Sequence, residues 1–161
     1  MAWFKRKDPK IEEQATDGEK RVKTEGIFVK CLECDNALYK RELKESLQVC
    51  THCGYHFRLG ARARLDTLFD EGEYEKLDEE VISADPLGFV DTKPYKERLI
   101  LAKEASGLPE AIVSGGGLVG GHQVYAGAMD MSFIGGSMGS AVGEKITRLI
   151  ERAMENQGAV I

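Results

Sequence analysis

The sequence predicts an α/β protein in which a small cysteine-rich ribbon precedes a core of paired strands and helices. Three observations support this fold class: four cysteines in two pairs, a glycine-rich strand pair, and an amphipathic helix late in the chain. The 161 residues are enough for one ordinary domain or two small ones. With 42% apolar and 30% charged residues, the composition is that of a globular protein rather than a disordered one.

The cysteines form two C-x-x-C pairs separated by fifteen residues, which is the spacing of a zinc ribbon. Two residues between paired cysteines let a tight turn direct both sulfurs at one point, so that two such turns supply a tetrahedron of thiolates. Four sulfurs leave no open position for water or substrate, and we therefore predict one structural Zn²⁺ and no metal catalysis. The predicted ligands are Cys31, Cys34, Cys50 and Cys53.

Other interpretations of the cysteines are less consistent with the rest of the sequence. Two disulfides are one alternative, but the basic N-terminus has no apolar run or cleavage site of a secretory signal behind it. We accordingly expect a cytoplasmic protein, without membrane insertion because no apolar stretch is long enough. A redox C-x-x-C pair is another alternative, which two pairs at ribbon spacing disfavour. His52 and His56 lie within and just after the second pair, and we expect neither to bind the metal.

The net charge is −5, and the charged residues are distributed unevenly along the chain. Residues 1–64 carry 14 Lys and Arg against 10 Asp and Glu, whereas residues 65–161 carry 8 against 17. This asymmetry is compatible with a basic module for a polyanion beside an acidic body, and equally with a lysine-rich arm beside an ordinary acidic surface.

We divide the chain into a flexible arm at residues 1–25, the ribbon at residues 26–57, and a core from residue 58 to residue 161. Within the core, apolar spacing and stop signals predict three helices and a hairpin that turns at Gly120-Gly121. A further strand begins at the last residues. The predicted helices span residues 59–69, 95–105 and 140–156, and the predicted hairpin strands span residues 111–113 and 123–129.

Two glycine motifs invite a functional interpretation. The first, Gly115 to Gly120, satisfies G-x-G-x-x-G, but a strand-like run follows where a dinucleotide site needs a helix, so we assign it to a hairpin turn. The second, Gly135-Gly136-Ser137-Met138-Gly139-Ser140, leads from a strand-like segment, residues 129–134, into a helix. Backbone amides at such a junction can hold a phosphate or an oxyanion, although a tight turn for close packing explains the glycines equally well.

Several segments resemble those of a known protein family, and they occur in the same order as in that family. From about residue 25 to residue 161 the chain resembles the carboxyltransferase beta subunit of bacterial and plastid acetyl-CoA carboxylase. The segments are the ribbon with Gly54-Tyr55-His56-Phe57, then Leu68-Phe69-Asp70-Glu71-Gly72, Asp85-Pro86-Leu87-Gly88-Phe89, Tyr95-Lys96-Glu97-Arg98-Leu99, and Gly135-Gly136-Ser137-Met138-Gly139-Ser140-Ala141-Val142-Gly143-Glu144-Lys145.

The resemblance implies a crotonase-like core of repeated ββα units behind the ribbon. It also implies a transferase that moves a carboxyl group from carboxybiotin to acetyl-CoA and so gives malonyl-CoA, in the first step of fatty-acid synthesis. Backbone amides at Gly135, Gly136 and Gly139 would supply or permit part of the stabilisation of an enolate oxygen. The implied partners are a carboxyltransferase alpha subunit, in a heterotetramer of two alpha and two beta chains, biotin carboxyl carrier protein, and biotin carboxylase in an ATP-binding complex.

One departure from the family pattern sets a further expectation. The family continues into a Ser-Gly-Gly-Ala-Arg-Met-Gln-Glu motif that builds much of the acyl-CoA pocket, and this sequence stops short of that motif. We therefore expect an N-terminal portion of the subunit that is inactive alone. The alternative function is a zinc-ribbon module that binds RNA, because zinc ribbons commonly bind nucleic acids and seven Lys and Arg side chains surround this one.

Overall fold

The computed structural model describes residues 26–161, and the predicted arm at residues 1–25 lies outside them. The ribbon contains a two-stranded antiparallel sheet, in which Val29 pairs with Leu38, and one short helix. Sequence patterns predict a strand and turn between the cysteine pairs but not this helix, because six residues are too few for a helical period to show. The elements are β1 (Phe28–Lys30), β2 (Ala37–Tyr39) and α1 (Lys40–Glu45).

A four-stranded sheet forms the centre of the core, in the order β3-β4-β5-β6. The two long central strands make the predicted hairpin, and Gly120 and Gly121 turn it with φ angles of 58° and 78°. Positive φ at both turn positions is what a tight hairpin requires and what glycine tolerates. The strands are β3 (Tyr74–Leu77), β4 (Ile112–Val119), β5 (His122–Met129) and β6 (Ala159–Val160), with β6 parallel to β5 and the other pairs antiparallel.

Helices cover both faces of this sheet. Val124, Ala126 and Ala128 of β5 pack with Leu65 in one buried cluster, whereas Gly127 faces Leu149 on the other side. Since neighbouring residues of a strand point to opposite faces, α2 and α4 lie on opposite sides of the sheet. The helices are α2 (Ala61–Leu68), α3 (Tyr95–Ser106) and α4 (Ser140–Glu155).

The predicted fold class is confirmed: the ribbon is followed by β4, β5 and α4, which together make one ββα unit. The helix predicted at residues 59–69 is α2, but Phe69 caps it and Gly72 closes a separate 3-10 turn. The strand predicted at residues 159–161 is β6. Among the described helices, none is both long enough and apolar enough to span a bilayer.

Two predictions about the core are wrong in detail. The glycines from Gly115 to Gly117 lie inside β4 and not in the turn, so that β4 is much longer than residues 111–113. The segment at residues 129–134 is not a strand, because β5 ends at Met129 and a turn follows. On α4, Ile150 and Met154 are large apolar residues that are nonetheless 44% and 76% exposed.

Candidate metal centre and glycine loop

The four cysteine sulfurs converge on one point. Cys31 Sγ lies 3.7 Å from Cys53 Sγ, Cys34 Sγ lies 3.8 Å from Cys50 Sγ, and all four lie within 4.8 Å of one another. A regular tetrahedron with Zn–S bonds of about 2.3 Å has S–S edges of about 3.8 Å. The spacing of the sulfurs therefore fits a tetrahedral zinc ion.

The two knuckles that carry these sulfurs have the same backbone geometry. The N–H of Asp35 donates to the carbonyl of Cys31 at 3.1 Å, and the N–H of Gly54 donates to the carbonyl of Cys50 at 2.9 Å. Asp35 and Gly54, each the residue after its pair, have positive φ angles of 58° and 75°. Each turn thus closes on its first cysteine, which holds the two sulfurs of the pair on the same side.

The four thiols of this cluster influence the ionisation of one another. The backbone and side-chain hydrogen bonds of Asn36 lower the pKa of Cys34 to about 6. A backbone hydrogen bond from Tyr55 acts to lower the pKa of Cys53, but burial and the neighbouring sulfurs raise that pKa to about 12. Four thiolates this close repel one another, so they require a positive ion to be ionised together. His52 and His56 are exposed and are not members of this cluster.

The glycine loop lies between β5 and α4 and forms a 3-10 turn. Gly135 and Gly136 have φ angles of 65° and 72°, which explains why glycine stands at both positions. The N–H of Gly136 donates to the carbonyl of Phe133 at 2.8 Å, so this amide already has a partner. Within residues 26–161, no acceptor bonds the N–H of Gly135 or of Gly139, the N-cap of α4. Two of the three glycine amides can therefore donate to a ligand.

Asp130, which sequence patterns did not single out, fixes this loop to the rest of the core. One carboxylate oxygen accepts the N–H of Ala61 at 2.8 Å and so caps α2. The other oxygen accepts the N–H and the hydroxyl of Ser132. These hydrogen bonds lower the pKa of Asp130 although burial acts to raise it. The carboxylate thus ties the start of the glycine loop to the opposite face of the sheet.

A second missed residue, Asp78, ties β3 to α4. Its side chain is 1% exposed and makes ion pairs with Arg148, at 3.0 Å, and with Arg152. The hydrogen bond from Arg152 is the largest of the effects that lower the pKa of Asp78. No sequence pattern could have indicated this network, because Asp78 follows a short exposed strand and meets its partners only in the folded chain.

The fold and the metal centre together define a class: a four-cysteine zinc ribbon joined to an α/β core that contains a ββα unit. Residues 28–53 match the family model described as the acetyl-CoA carboxylase zinc finger domain. The zinc ribbon predicted from the cysteine spacing is therefore confirmed.

The whole chain is similar to acetyl-coenzyme A carboxylase carboxyl transferase beta subunits. It is 44% identical to the subunit of Chlorobaculum tepidum and 45% identical to that of Chlorobium chlorochromatii, in each case over all 161 residues. The subunit of Desulforamulus reducens is 44% identical over 95% of the chain. The chain spans 56% of the length of the first two relatives. The resemblance to this family is confirmed.

Two solved structures show weaker similarity. Transcarboxylase 12S, with methylmalonyl-coenzyme A and methylmalonic acid bound, matches 62% of this chain and 17% of its own at 22% identity and a TM-score of 0.45. A Pseudomonas malonate decarboxylase hetero-tetramer in complex with malonate matches 62% of this chain and 32% of its own at 26% identity and a TM-score of 0.41. At these TM-scores we draw no conclusion from either structure.

Proposed function

We propose that this chain serves acetyl-CoA carboxylase as part of a carboxyltransferase beta subunit. The reaction would transfer the carboxyl group from carboxybiotin, on biotin carboxyl carrier protein, to acetyl-CoA and give malonyl-CoA. The observation that carries the proposal is the 44% identity over all 161 residues to a protein of that name. The match to the zinc finger model covers only residues 28–53, so the identity over all 161 residues does not depend on the ribbon alone.

In this proposal the zinc ion is structural, and its ligands are Cys31, Cys34, Cys50 and Cys53. When bound, the ion would neutralise the thiolates and cross-link the two knuckles. A complete set of four sulfurs leaves no position for a substrate, so the carboxyl transfer takes place elsewhere.

The glycine loop is the proposed catalytic element. Removal of a proton from the acetyl group leaves an enolate, and fixed amides stabilise its oxygen because they need no reorganisation during the reaction. The N–H groups of Gly135 and Gly139 are the proposed donors. Gly136 permits the turn, since its own N–H donates to Phe133.

The proposal also includes partner proteins, a metabolic pathway and a cellular location. The partners are a carboxyltransferase alpha subunit, two of each chain in a heterotetramer, together with biotin carboxyl carrier protein and biotin carboxylase. Fatty-acid synthesis, ATP binding by the whole complex and a cytoplasmic location belong to the same proposal. So does the division into an arm at 1–25, a ribbon at 26–57 and part of the catalytic core at 58–161.

A chimera tests this function. The 161 residues replace the matching part of the Chlorobaculum tepidum beta subunit, and the product is assembled with the alpha subunit of that organism. We expect malonyl-CoA formation from acetyl-CoA and carboxybiotin at a rate comparable with the native beta subunit. A chimera that folds, retains zinc and assembles with the alpha subunit but forms no malonyl-CoA would overturn the proposal.

A groove on the ribbon favours RNA binding as a second candidate function. It has a volume of about 560 Å³ and combines the cations of Lys40, Lys44 and Arg58 with the rings of Tyr55 and Phe57. Cations attract phosphates, and aromatic rings stack on unpaired bases. Binding of a single-stranded RNA that weakens with salt and is lost in Lys40→Ala/Lys44→Ala/Arg58→Ala would support this function. Equal binding by the triple variant would contradict it.

A further inference from the structure

Two hydroxyl groups from distant parts of the chain meet the N-terminus of α4. A Cβ atom placed on Gly139 would lie 3.6 Å from Ser83 Oγ and 3.9 Å from Tyr95 Oη, and no other atom of the described chain outside its immediate neighbours comes within 4 Å of it. Ser83 belongs to the segment after β3, and Tyr95 is the first residue of α3. The glycine therefore leaves a small space that both hydroxyls face.

The Ser83 hydroxyl is held in place without a partner of its own. Ser83 is only 9% exposed, and its backbone N–H donates to the carboxylate of Glu110 at 2.7 Å. Among residues 26–161, no group makes a hydrogen bond with Ser83 Oγ or with Tyr95 Oη, although the Tyr95 ring packs against the core. Every side-chain nitrogen or oxygen that is fully buried in the described residues has a partner, so Ser83 Oγ still reaches solvent and can bond a ligand or water there.

Backbone amides at the start of α4 also lack partners among the described residues. Gly139 provides no side-chain cap, and the first bond of the helix runs from the N–H of Gly143 to the carbonyl of Gly139. In the described part of the chain, the N–H groups of Ala141 and Val142 have no acceptor, although these residues are only 5% and 0% exposed. Together with the partial positive charge of the helix end, they make a site of donors for an anion.

Buried charged residues of the neighbouring elements influence which kind of anion the site can bind. The carboxylate of Glu110, a residue that is 2% exposed, accepts a hydrogen bond from the backbone N–H of Ser83. Lys145, also 2% exposed, lies one turn into α4, with its ammonium 3.5 Å from the carbonyl of Ile112. Burial lowers the pKa of Lys145, and Glu110 is the first of the acidic groups that raise it again. The carboxylate of Glu110, held against the backbone of Ser83, repels negative charge and opposes a dianion more strongly than a singly charged ligand.

We propose that Ser83 Oγ, Tyr95 Oη and the first amides of α4 bind a carboxylate group. The two oxygens of a carboxylate can accept about four hydrogen bonds, which matches two hydroxyl donors and two amide donors. The inference deepens the proposed function and rests on it only for the identity of the natural ligand, since the group transferred in that reaction is a carboxylate.

Titration of the zinc-loaded 161-residue chain with acetate tests the site, with amide NMR shifts as the readout. We expect the Ala141 and Val142 amides to shift together, and Ser83→Ala and Tyr95→Phe each to raise the dissociation constant about tenfold, as the loss of one hydrogen bond to a charged group does. Gly139→Ala fills the space without strain, since φ is −94° and the nearest hydroxyl lies 3.6 Å away, so it should abolish binding while the fold persists.

The controls distinguish a carboxylate site from a general anion site and from a change in the fold. Ser137→Ala, in the same loop, and Tyr39→Phe, on the ribbon, should bind acetate like the parent chain. Acetamide has the same shape without the charge, and inorganic phosphate has a larger charge; both should bind more weakly. No shift at the start of α4, unchanged affinity in Ser83→Ala, or tighter binding of phosphate would each overturn the inference. None of these outcomes depends on the chimera, so failure of the carboxylate site and failure of the proposed activity can be told apart.

Discussion

The ribbon and the sheet of this protein are stabilised by different means. Half of the buried cluster of the ribbon consists of the cysteines Cys31 and Cys50, with only Leu38 and Leu43 beside them. The sheet instead lies between two apolar clusters, one around Phe133 and Val142 and the other around Leu65 and Val124. A small module with few apolar residues needs a cross-link, whereas a covered sheet obtains its stability from the burial of apolar surface. The two regions should therefore respond to different perturbations.

Removal of zinc should cause the largest loss of stability, and this loss should be confined to the ribbon. Structural zinc contributes about 10 kcal/mol or more to the folding of small zinc modules. With a chelator, or in Cys50→Ser, we expect the amides of residues 28–57 to lose protection from hydrogen exchange while those of β4 and β5 keep theirs.

His52→Ala is the matched control, because this exposed side chain lies in the same knuckle but outside the sulfur cluster. It should leave the exchange pattern unchanged. If the hairpin amides lose protection together with the ribbon, the two regions unfold as one unit and the contrast between them is wrong.

Truncation of Leu149 should destabilise the core and leave the ribbon unchanged. This side chain is 2% exposed, and its Cδ1 would lie 3.0 Å from a Cβ placed on Gly127 of β5. Leu149→Ala removes buried methyl groups and leaves a cavity, so we expect a loss of about 3 kcal/mol in the free energy of unfolding of the core. Denaturant unfolding measures this loss, and zinc affinity should not change. Ile150→Ala, at an exposed neighbouring position, should cost far less.

Loss of the Asp78 charge should have a smaller, pH-dependent effect. Asp78→Asn should lower the free energy of unfolding by about 2 kcal/mol at neutral pH, less than for a fully buried pair because the two arginines are about one-third exposed. The arginines lower the pKa of Asp78 in the folded state. Its contribution is therefore complete at neutral pH and is lost as the pH falls below about 4, toward the folded pKa.

The free energies of unfolding of the parent chain and of Asp78→Asn, measured as a function of pH, should accordingly become equal in acid. Glu79→Gln is the control, because its pair with Lys76 is exposed on both sides and should contribute little at any pH. A constant difference between parent and Asp78→Asn from pH 7 down to pH values well below that of a free carboxyl group would contradict the assigned ion pairs.

Features that depend on local spacing could be predicted from the sequence. The cysteine spacing identified the ribbon, and the apolar period of residues 140–156 identified α4 almost to its ends. The short strand β3 was missed because two of its four residues, Glu75 and Lys76, are charged and exposed. Ser83 and Tyr95 could not be connected with Gly139, because only the folded chain brings them together.

The glycines of β4 show why one motif was misassigned. Glycine is unfavourable in strands, so the sequence alone favours a turn. In the structure the stacked rings of Phe69 and Tyr74 lie over this strand. A Cβ on Gly115 would come within 2.4 Å of Tyr74, and one on Gly117 within 2.9 Å of Phe69. The glycines are needed for this close approach, which no local pattern reveals.

The order of the strands also has a consequence for the way in which the sheet assembles. β4 and β5 are joined by a two-residue turn, so their pairing closes almost no loop. β3 and β6, in contrast, reach the hairpin only after the long segments that contain α3 and α4. Loop closure makes such distant pairings slow, whereas hairpins form within microseconds. We therefore expect the central hairpin to form first and the outer strands to dock onto it once their helices have formed.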